Sequence, residues 1–251
     1  MKKNKILLIG GSGNLGKKII KSNLFKNLYA PRKKILNLLN PYQISSVLKK
    51  KNIKIIIHCA SLARMKECEN DVVKAINNNI LGTYNLVKVI IELEKKIKKK
   101  IKIIYLSTDA VYPSFKGNYK ENGDLGPYNN YGWSKLSAEF LIRMISDHII
   151  IRTRFYDKDK INYKFSASDI FTSQVEIESL PKYIYYLLLE NFVGIINIGS
   201  KRISDFKLYK KIKPKLKSFK RKDLIKRLNF NIAKDASLNL IKFNKIKKKY
   251  E

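Results

Sequence analysis

Cysteine and histidine are almost missing from this sequence: Cys59, Cys68, His58 and His148 are the full complement. So few thiols and imidazoles exclude a disulfide framework and leave no Cys/His set at zinc-ligand spacing, so no metal site is expected. Long hydrophobic runs are also absent. Nothing approaches the roughly 18 consecutive apolar residues of a membrane-spanning helix, and a cytoplasmic protein without a membrane span is expected. Acidic residues are scarce, 20 against 53 basic ones, for a net charge of +33. Lysine supplies 45 of those basic residues and Ile and Asn are abundant too. One reading of this bias is A/T-rich codons spread over solvated faces. The other is an anionic partner drawn in by the field, and a diphosphate-bearing substrate would suit it. Neither a recognition motif nor a regular interleaving of basic and aromatic residues is evident, so nucleic acid is not expected as a partner.

What is present fits a globular α/β chain. At 251 residues and 45% apolar content, the chain can bury one large domain or a main domain with a small one. Met1-Lys2-Lys3-Asn4-Lys5 followed by Ile6-Leu7-Leu8-Ile9 has the outline of a leader peptide, but its apolar part is short. The residues that follow explain it better. Gly10-Gly11-Ser12-Gly13-Asn14-Leu15-Gly16 places Gly-x-x-Gly-x-x-Gly between a buried strand and a helix reaching about Ser22. Glycines at that spacing permit a tight turn and let the backbone approach a pyrophosphate seated on the helix N-terminus.

A weak second strand is expected near Asn27–Ala30, and then Pro31-Arg32-Lys33-Lys34 stands where many such folds carry an acid for the adenosine ribose. Arg32 and Lys33 suit a 2′-phosphate instead, which points to NADPH, with NADH as the alternative. A helix is expected from Pro41 to about Lys51. A third strand, Ile53–Ala60, delivers Cys59, Ala60 and Ser61 to the carboxyl edge of the sheet. A helix over about 69–95 carries Asn79, and a fourth strand from Ile101 ends in Ser107-Thr108-Asp109-Ala110.

Tyr131 and Lys135 follow, four residues apart on one face of a helix from about Asn129 to Ser146. There the lysine ammonium can lower the phenol pKa, so that the tyrosine exchanges protons near neutral pH. Tyr-x-x-x-Lys alone says little, because it occurs six times in the chain. Tyr131 stands apart through its place 23 residues after Thr108, on the helix that follows the fourth strand. His148–Arg152 is a fifth strand. This alternation predicts a Rossmann-like, doubly wound parallel sheet.

Together, the glycine motif, His58-Cys59-Ala60, Asn79-Ile80-Leu81-Gly82-Thr83, Ser107-Thr108-Asp109 and Tyr131-x-x-x-Lys135 resemble the extended short-chain dehydrogenase/reductase family. Within it the chain is most similar to the nucleotide-sugar 4-reductases, the dTDP-4-dehydrorhamnose reductases. The 4,6-dehydratases of that family carry Asp-Glu after the threonine, and here Ala110 follows Asp109, so water elimination is not expected. The resemblance implies an NAD(P)-dependent oxidoreductase acting on a nucleotide-linked 4-keto sugar, in surface polysaccharide synthesis.

In residue terms, the resemblance implies Thr108, Tyr131, Lys135 and Asn79 as catalytic. Tyr131 gives the proton, Lys135 lowers its pKa and holds the nicotinamide ribose, Thr108 orients the carbonyl, and Asn79 supports Lys135 through backbone or water. Gly10, Gly13, Asn14, Leu15, Gly16, Arg32, Asn37, Leu38, Cys59, Ala60, Ser61, Tyr131 and Lys135 would hold the cofactor. Thr108, Asp109 and Ala110 would meet the substrate. Asn37 and Leu38 would lie beside the adenine, where the family more often has an Asp. Residues 1–155 are expected to form the cofactor-binding domain, completed by a strand near 194–199. Residues 156–251, lysine-rich and helical beyond 201, are expected to form most of a small substrate-binding part. A homodimer through the helices around 70–95 and 129–146 is implied as well. An NAD-dependent epimerase or dehydrogenase, or a non-catalytic binding member of the same fold, is the alternative.

Overall fold

The structure is a computed structural model that describes residues 5–251, so Met1–Asn4 of the leader reading lie outside the described residues. Its first half alternates strand and helix. β1 (Lys5–Ile9), α1 (Asn14–Lys21), β2 (Leu28–Tyr29), α2 (Pro41–Lys50) and β3 (Ile53–His58) come first. Two short helices, α3 (Met65–Asn70) and α4 (Val72–Ala75), lead through a π-helical turn (Ile76–Leu81) into α5 (Gly82–Ile97). β4 (Lys102–Thr108), α6 (Asn130–Ile142) and β5 (His148–Thr153) complete this half.

Short strands β6 (Phe155–Tyr156), β7 (Phe165–Ala167), β8 (Phe171–Thr172) and β9 (Val175–Glu176) follow, then α7 (Leu180–Leu189) and β10 (Gly194–Ile198). β11 (Ile203–Ser204), α8 (Asp205–Ile212), β12 (Lys217–Phe219), α9 (Arg221–Leu228) and α10 (Ile241–Tyr250) close the chain. Among the described residues no helix is long and apolar enough to cross a membrane.

Six strands form one parallel sheet in the order β10-β5-β4-β3-β1-β2. Alternation along the strands divides its core in two. Ile6, Leu8, Ile55, Ile57, Ile104 and Ile149 pack one face with residues of α1, α7 and α10. Leu7, Ile9, Ile56, Ile103, Tyr105 and Ile150 pack the other with α2, α5 and α6. With both faces covered, the strands read as near-continuous apolar runs, as parallel strands do. β1 lies between β2 and β3, so strand order reverses there, and ligands bind at the carboxyl ends flanking such a reversal.

The chain departs from the sequence-based expectations in two places. The helix expected over 69–95 is interrupted at Asp71, whose carboxylate caps α4 by accepting the Lys74 N–H at 2.8 Å. The 201–250 segment is helical only in α8, α9 and α10, with β12 and an irregular 229–240 stretch between them. Its last helix returns to the main sheet, where Phe243 meets Tyr183 with ring centroids 4.8 Å apart. β7, β8, β11, β12, α8 and α9 make a separate small lobe around Ala167, Ile170 and Ile232.

Candidate active site

The glycine loop builds a cradle at the point where strand order reverses. Gly10 has φ +92°, and a Cβ there would lie 2.6 Å from the Ala60 nitrogen, so only glycine lets β1 and β3 end so close together. Gly13 N–H donates to the Gly10 carbonyl at 3.0 Å, closing the turn before α1. Above it opens a cavity of about 660 Å³. Gly10–Gly13 form one side, Arg32 and Lys33 a second, and Asn37, Leu38, Cys59, Ala60 and Ser61 also line it.

The structure thus gathers eight of the thirteen expected cofactor residues around the cavity; Tyr131 and Lys135, on α6, do not line it, and neither do Asn14, Leu15 and Gly16. The Leu15 side chain is buried in the core beneath α1. Gly16 packs under the Gly10 carbonyl. Asn14 accepts the Lys160 ammonium at 2.7 Å. None of these three lines the cavity. Sequence reasoning missed Asn77, Asn78 and Gly82, which also line it. The π-helical turn that carries the two asparagines is a feature frequent at functional sites, and the Asn77-Asn78-Asn79 run was its only sequence signal.

α6 is held against the end of β4 by several local devices. Asn129 caps it, accepting the Gly132 N–H at 2.8 Å. Glu69 of α3 accepts from both the backbone and the amide of Asn130, at 2.7 and 2.8 Å. A Cβ on Gly132 would stand 2.4 Å from the Ala110 carbonyl oxygen, so this glycine lets the helix close on the strand end. The approach brings the Tyr131 phenol beside Thr108. Burial pushes that phenol well above its usual range. The Thr108 hydroxyl and the Arg154 charge oppose the rise, while Asp109 and Cys68 add to it.

Lys135 sits one turn further on, 2% exposed, with its ammonium 4.0 Å from the centroid of the Tyr105 ring. Burial lowers its pKa to about 7, against the raising effect of Glu139 and of Cys59 and Cys68. The expected activation of Tyr131 by Lys135 therefore needs correction for the protein alone. The cation rests on Tyr105, and burial governs the phenol.

Asn79 acts on Lys135 only indirectly. Its amide donates to Ser134 Oγ at 2.8 Å and to the Leu62 carbonyl at 3.1 Å, and its oxygen accepts Leu62 N–H at 2.7 Å. It joins the loop after β3 to α6, and so positions the segment that carries Lys135. Of the expected substrate residues, Ala110 is fully buried against Gly132 and faces no cleft. Asp109 is buried and ion-paired to Arg154 at 2.9 Å. Arg154 was not foreseen, although a charged Arg152-Thr153-Arg154 ending to an apolar strand marked it.

Around this core runs a second polar network. Glu139 receives a bidentate pair from Arg152, at 2.7–3.2 Å, and the Ser107 hydroxyl. Arg152 also donates to the Tyr112 hydroxyl at 2.9 Å, which donates to Asn197 of β10 at 2.9 Å. Adjacent strands and the tyrosine-bearing helix are thereby fixed in one register.

The arrangement has clear counterparts. Residues 4–178 match the family described as RmlD substrate binding domain. A dTDP-D-glucose 4,6-dehydratase of Dictyostelium discoideum is 30% identical over 168 residues, covering 61% of this chain and 35% of that protein. A GDP-6-deoxy-D-talose 4-dehydrogenase of Aggregatibacter actinomycetemcomitans is 29% identical over 143 residues, 55% of this chain and 47% of that one. The chain therefore spans less than half the length of either relative. In fold it is similar to the crystal structure of dTDP-4-dehydrorhamnose reductase from Bacillus anthracis in complex with NADP. The TM-score is 0.83 at 20% identity, over 97% of this chain and 92% of that one.

Proposed function

The chain belongs to the RmlD substrate binding domain family, a branch of the extended short-chain dehydrogenases/reductases, and on that premise we propose that it is an NADPH-dependent reductase of a nucleotide-linked 4-keto sugar serving surface polysaccharide synthesis. The observation that carries this reading is the buried approach of Tyr131 to Thr108, one helical turn from Lys135, whose charge is felt by Cys59 of the cavity wall.

The residues present fit a dinucleotide. Backbone N–H groups of the Gly10–Gly13 loop and the start of α1 suit its pyrophosphate. Arg32 and Lys33 suit a 2′-phosphate, and Asn37 and Leu38 the adenine. Bound in the cradle, the nicotinamide ring supplies hydride. Tyr131, held beside Thr108, receives the substrate carbonyl oxygen and hands it the phenolic proton as charge builds there. Burial favours this role, because a phenol held neutral keeps its proton until the carbonyl claims it. Lys135 comes off the Tyr105 face to hold the nicotinamide ribose and to steady the developing phenolate.

The small lobe built from 156–176 and 200–240 closes over the nucleotide sugar in this reading. The outer faces of the helical layer pair two copies, since Tyr84, Trp133, Phe140 and Met144 are 45–69% exposed.

The test is NADPH oxidation, followed by absorbance, across a panel of nucleotide 4-keto sugars that includes dTDP-4-dehydrorhamnose. Tyr131→Phe should abolish it while leaving NADPH binding nearly intact; unchanged turnover would sink the proposal. Protein purified with bound NAD, and no net consumption of NADPH, would point to an epimerase instead.

A further inference from the structure

Thr108 carries one proton and two acceptor sites. The proton goes to Asp109 Oδ1 at 3.2 Å. The oxygen accepts Ala110 N–H at 3.2 Å and has the Tyr131 phenol beside it. With the threonine proton directed to Asp109, the threonine presents only an acceptor to the phenol. An ionised Asp109 can only accept, and so fixes this polarity.

Asp109 is 1% exposed, and burial works against its charge. What favours its charged form is Arg154, whose Nε lies 2.9 Å from Oδ2 and 3.2 Å from Oδ1. The guanidinium is itself oriented by the Tyr128 hydroxyl, 3.3 Å from Nη2. Asp205 of α8, held by Thr172 at 3.3 Å and Gln174 at 2.9 Å, acts on Arg154 from the small lobe. The charged and titratable groups that face Asp109 are thus Arg154, Asp205, Tyr128 and Tyr131.

We propose that Arg154 is a positioning residue: by clamping Asp109 it fixes the direction of the Thr108 hydroxyl, so that Tyr131 alone holds a proton free to pass to a carbonyl in the cleft. The inference rests on the reading of Thr108 and Tyr131 given above. Without Arg154 the buried carboxyl takes up a proton and becomes a donor to Thr108, the threonine proton swings to the tyrosine oxygen, and the order of donors reverses.

The experiment compares Arg154→Met, Arg154→Lys and Asp109→Asn, using NADPH and dTDP-4-dehydrorhamnose. Arg154→Met should lower kcat by about tenfold to a hundredfold. Its acid limb of kcat should move up by about one pH unit or more, since activity then waits for Asp109 to ionise. The dissociation constant for NADPH, read by fluorescence, should stay within about twofold. Arg154→Lys should recover most of kcat, and Asp109→Asn should lack the displaced limb while losing about three- to tenfold in kcat.

An unmoved pH profile overturns the proposal, whether kcat holds or falls together with NADPH affinity and Tm. So does an Arg154→Lys enzyme no better than Arg154→Met. If Arg154→Met does not fold, Asp109→Asn decides, because it removes the charge at constant shape; wild-type kcat and profile there overturn the ion pair's role. A wild-type protein that reduces none of the 4-keto sugars removes the reading of the site and this inference with it, whereas normal wild-type turnover with indifferent variants removes the inference alone.

Discussion

The ammonium of Lys135 stands 4.0 Å above the Tyr105 ring, in a pocket where the nearest acid of its own helix, Glu139, is already committed to Arg152. The ring face gives a desolvated cation some compensation, but burial still lowers the Lys135 pKa from 10.5 to about 7. His58, fully buried beside it, is held neutral with its pKa lowered to about 3, by burial first and the Lys135 charge second.

That placement predicts a pH-dependent stability. Between pH 7 and 10.5 the unfolded lysine is protonated and the folded one is not, so stability rises with pH across that window. The cost of burying the charge is complete below pH 7 and vanishes above 10.5. Lys135→Met should therefore stabilise the protein at pH 6–7 by a few kcal/mol, because each pH unit separating the folded and unfolded lysine is equivalent to about 1.36 kcal/mol. The gain should shrink towards pH 10. Urea unfolding at pH 6.5 and 9.5 measures it. A gain that is the same at both pH values would refute the account.

The Glu139–Arg152 pair predicts the opposite sign. Both side chains are at most 2% exposed and bind each other through three hydrogen bonds. Removing one partner leaves an uncompensated buried charge, typically costing about 3–5 kcal/mol. Arg152→Met should lose about that much in denaturant unfolding, whereas the double variant Arg152→Met/Glu139→Leu should recover a large part. Equal losses in the single and double variants would count against it.

Much of the fold was legible because two local codes agree. The Ile-rich runs at 53–57 and 101–104 are too apolar for a half-exposed strand, and the glycine loop between Ile9 and Asn14 fixes how the first strand meets its helix. The site was half legible. Thr108, Tyr131 and Lys135 follow from spacing along consecutive elements, so their meeting needs only the fold. Arg154, Glu139 and Tyr105 act through contacts across elements far apart in sequence, and a charged residue among 45 lysines carries no mark of its partner. The helix break at Asp71 was hidden for a related reason: apolar periodicity runs straight through Val72 and Ala75, while the cap depends on one backbone angle.

The glycine cradle predicts a steric effect that needs no charge. A Cβ on Gly16 would lie 2.2 Å from the Gly10 carbonyl oxygen and 2.7 Å from Gly11 Cα, both backbone atoms that cannot swing aside. Gly16→Ala should destabilise the protein by about 1–3 kcal/mol, as overpacking does, and should weaken NADPH binding by displacing the loop from the start of α1. Thermal unfolding with and without NADPH separates the two effects. A variant with wild-type Tm and wild-type ligand-induced stabilisation would show that the loop relaxes where this geometry forbids it.

In the proposed reading, Arg32 selects between the two nicotinamide dinucleotides. It lines the cavity beside Lys33, just beyond the short second strand, where an acid would select a free ribose hydroxyl. A guanidinium can take two oxygens of a 2′-phosphate at once, and a lysine cannot. Hydrogen bonds to a charged group contribute about 1.5–3 kcal/mol, so Arg32→Ala should weaken NADPH by about ten- to a hundredfold. NADH, which lacks the phosphate, should change by less than about threefold. Screening sharpens the measurement: the NADPH advantage of the wild type should fall with added salt, and that of Arg32→Ala much less. Equal losses for both dinucleotides would mean that Arg32 shapes the adenine pocket and leaves the 2′ position unread.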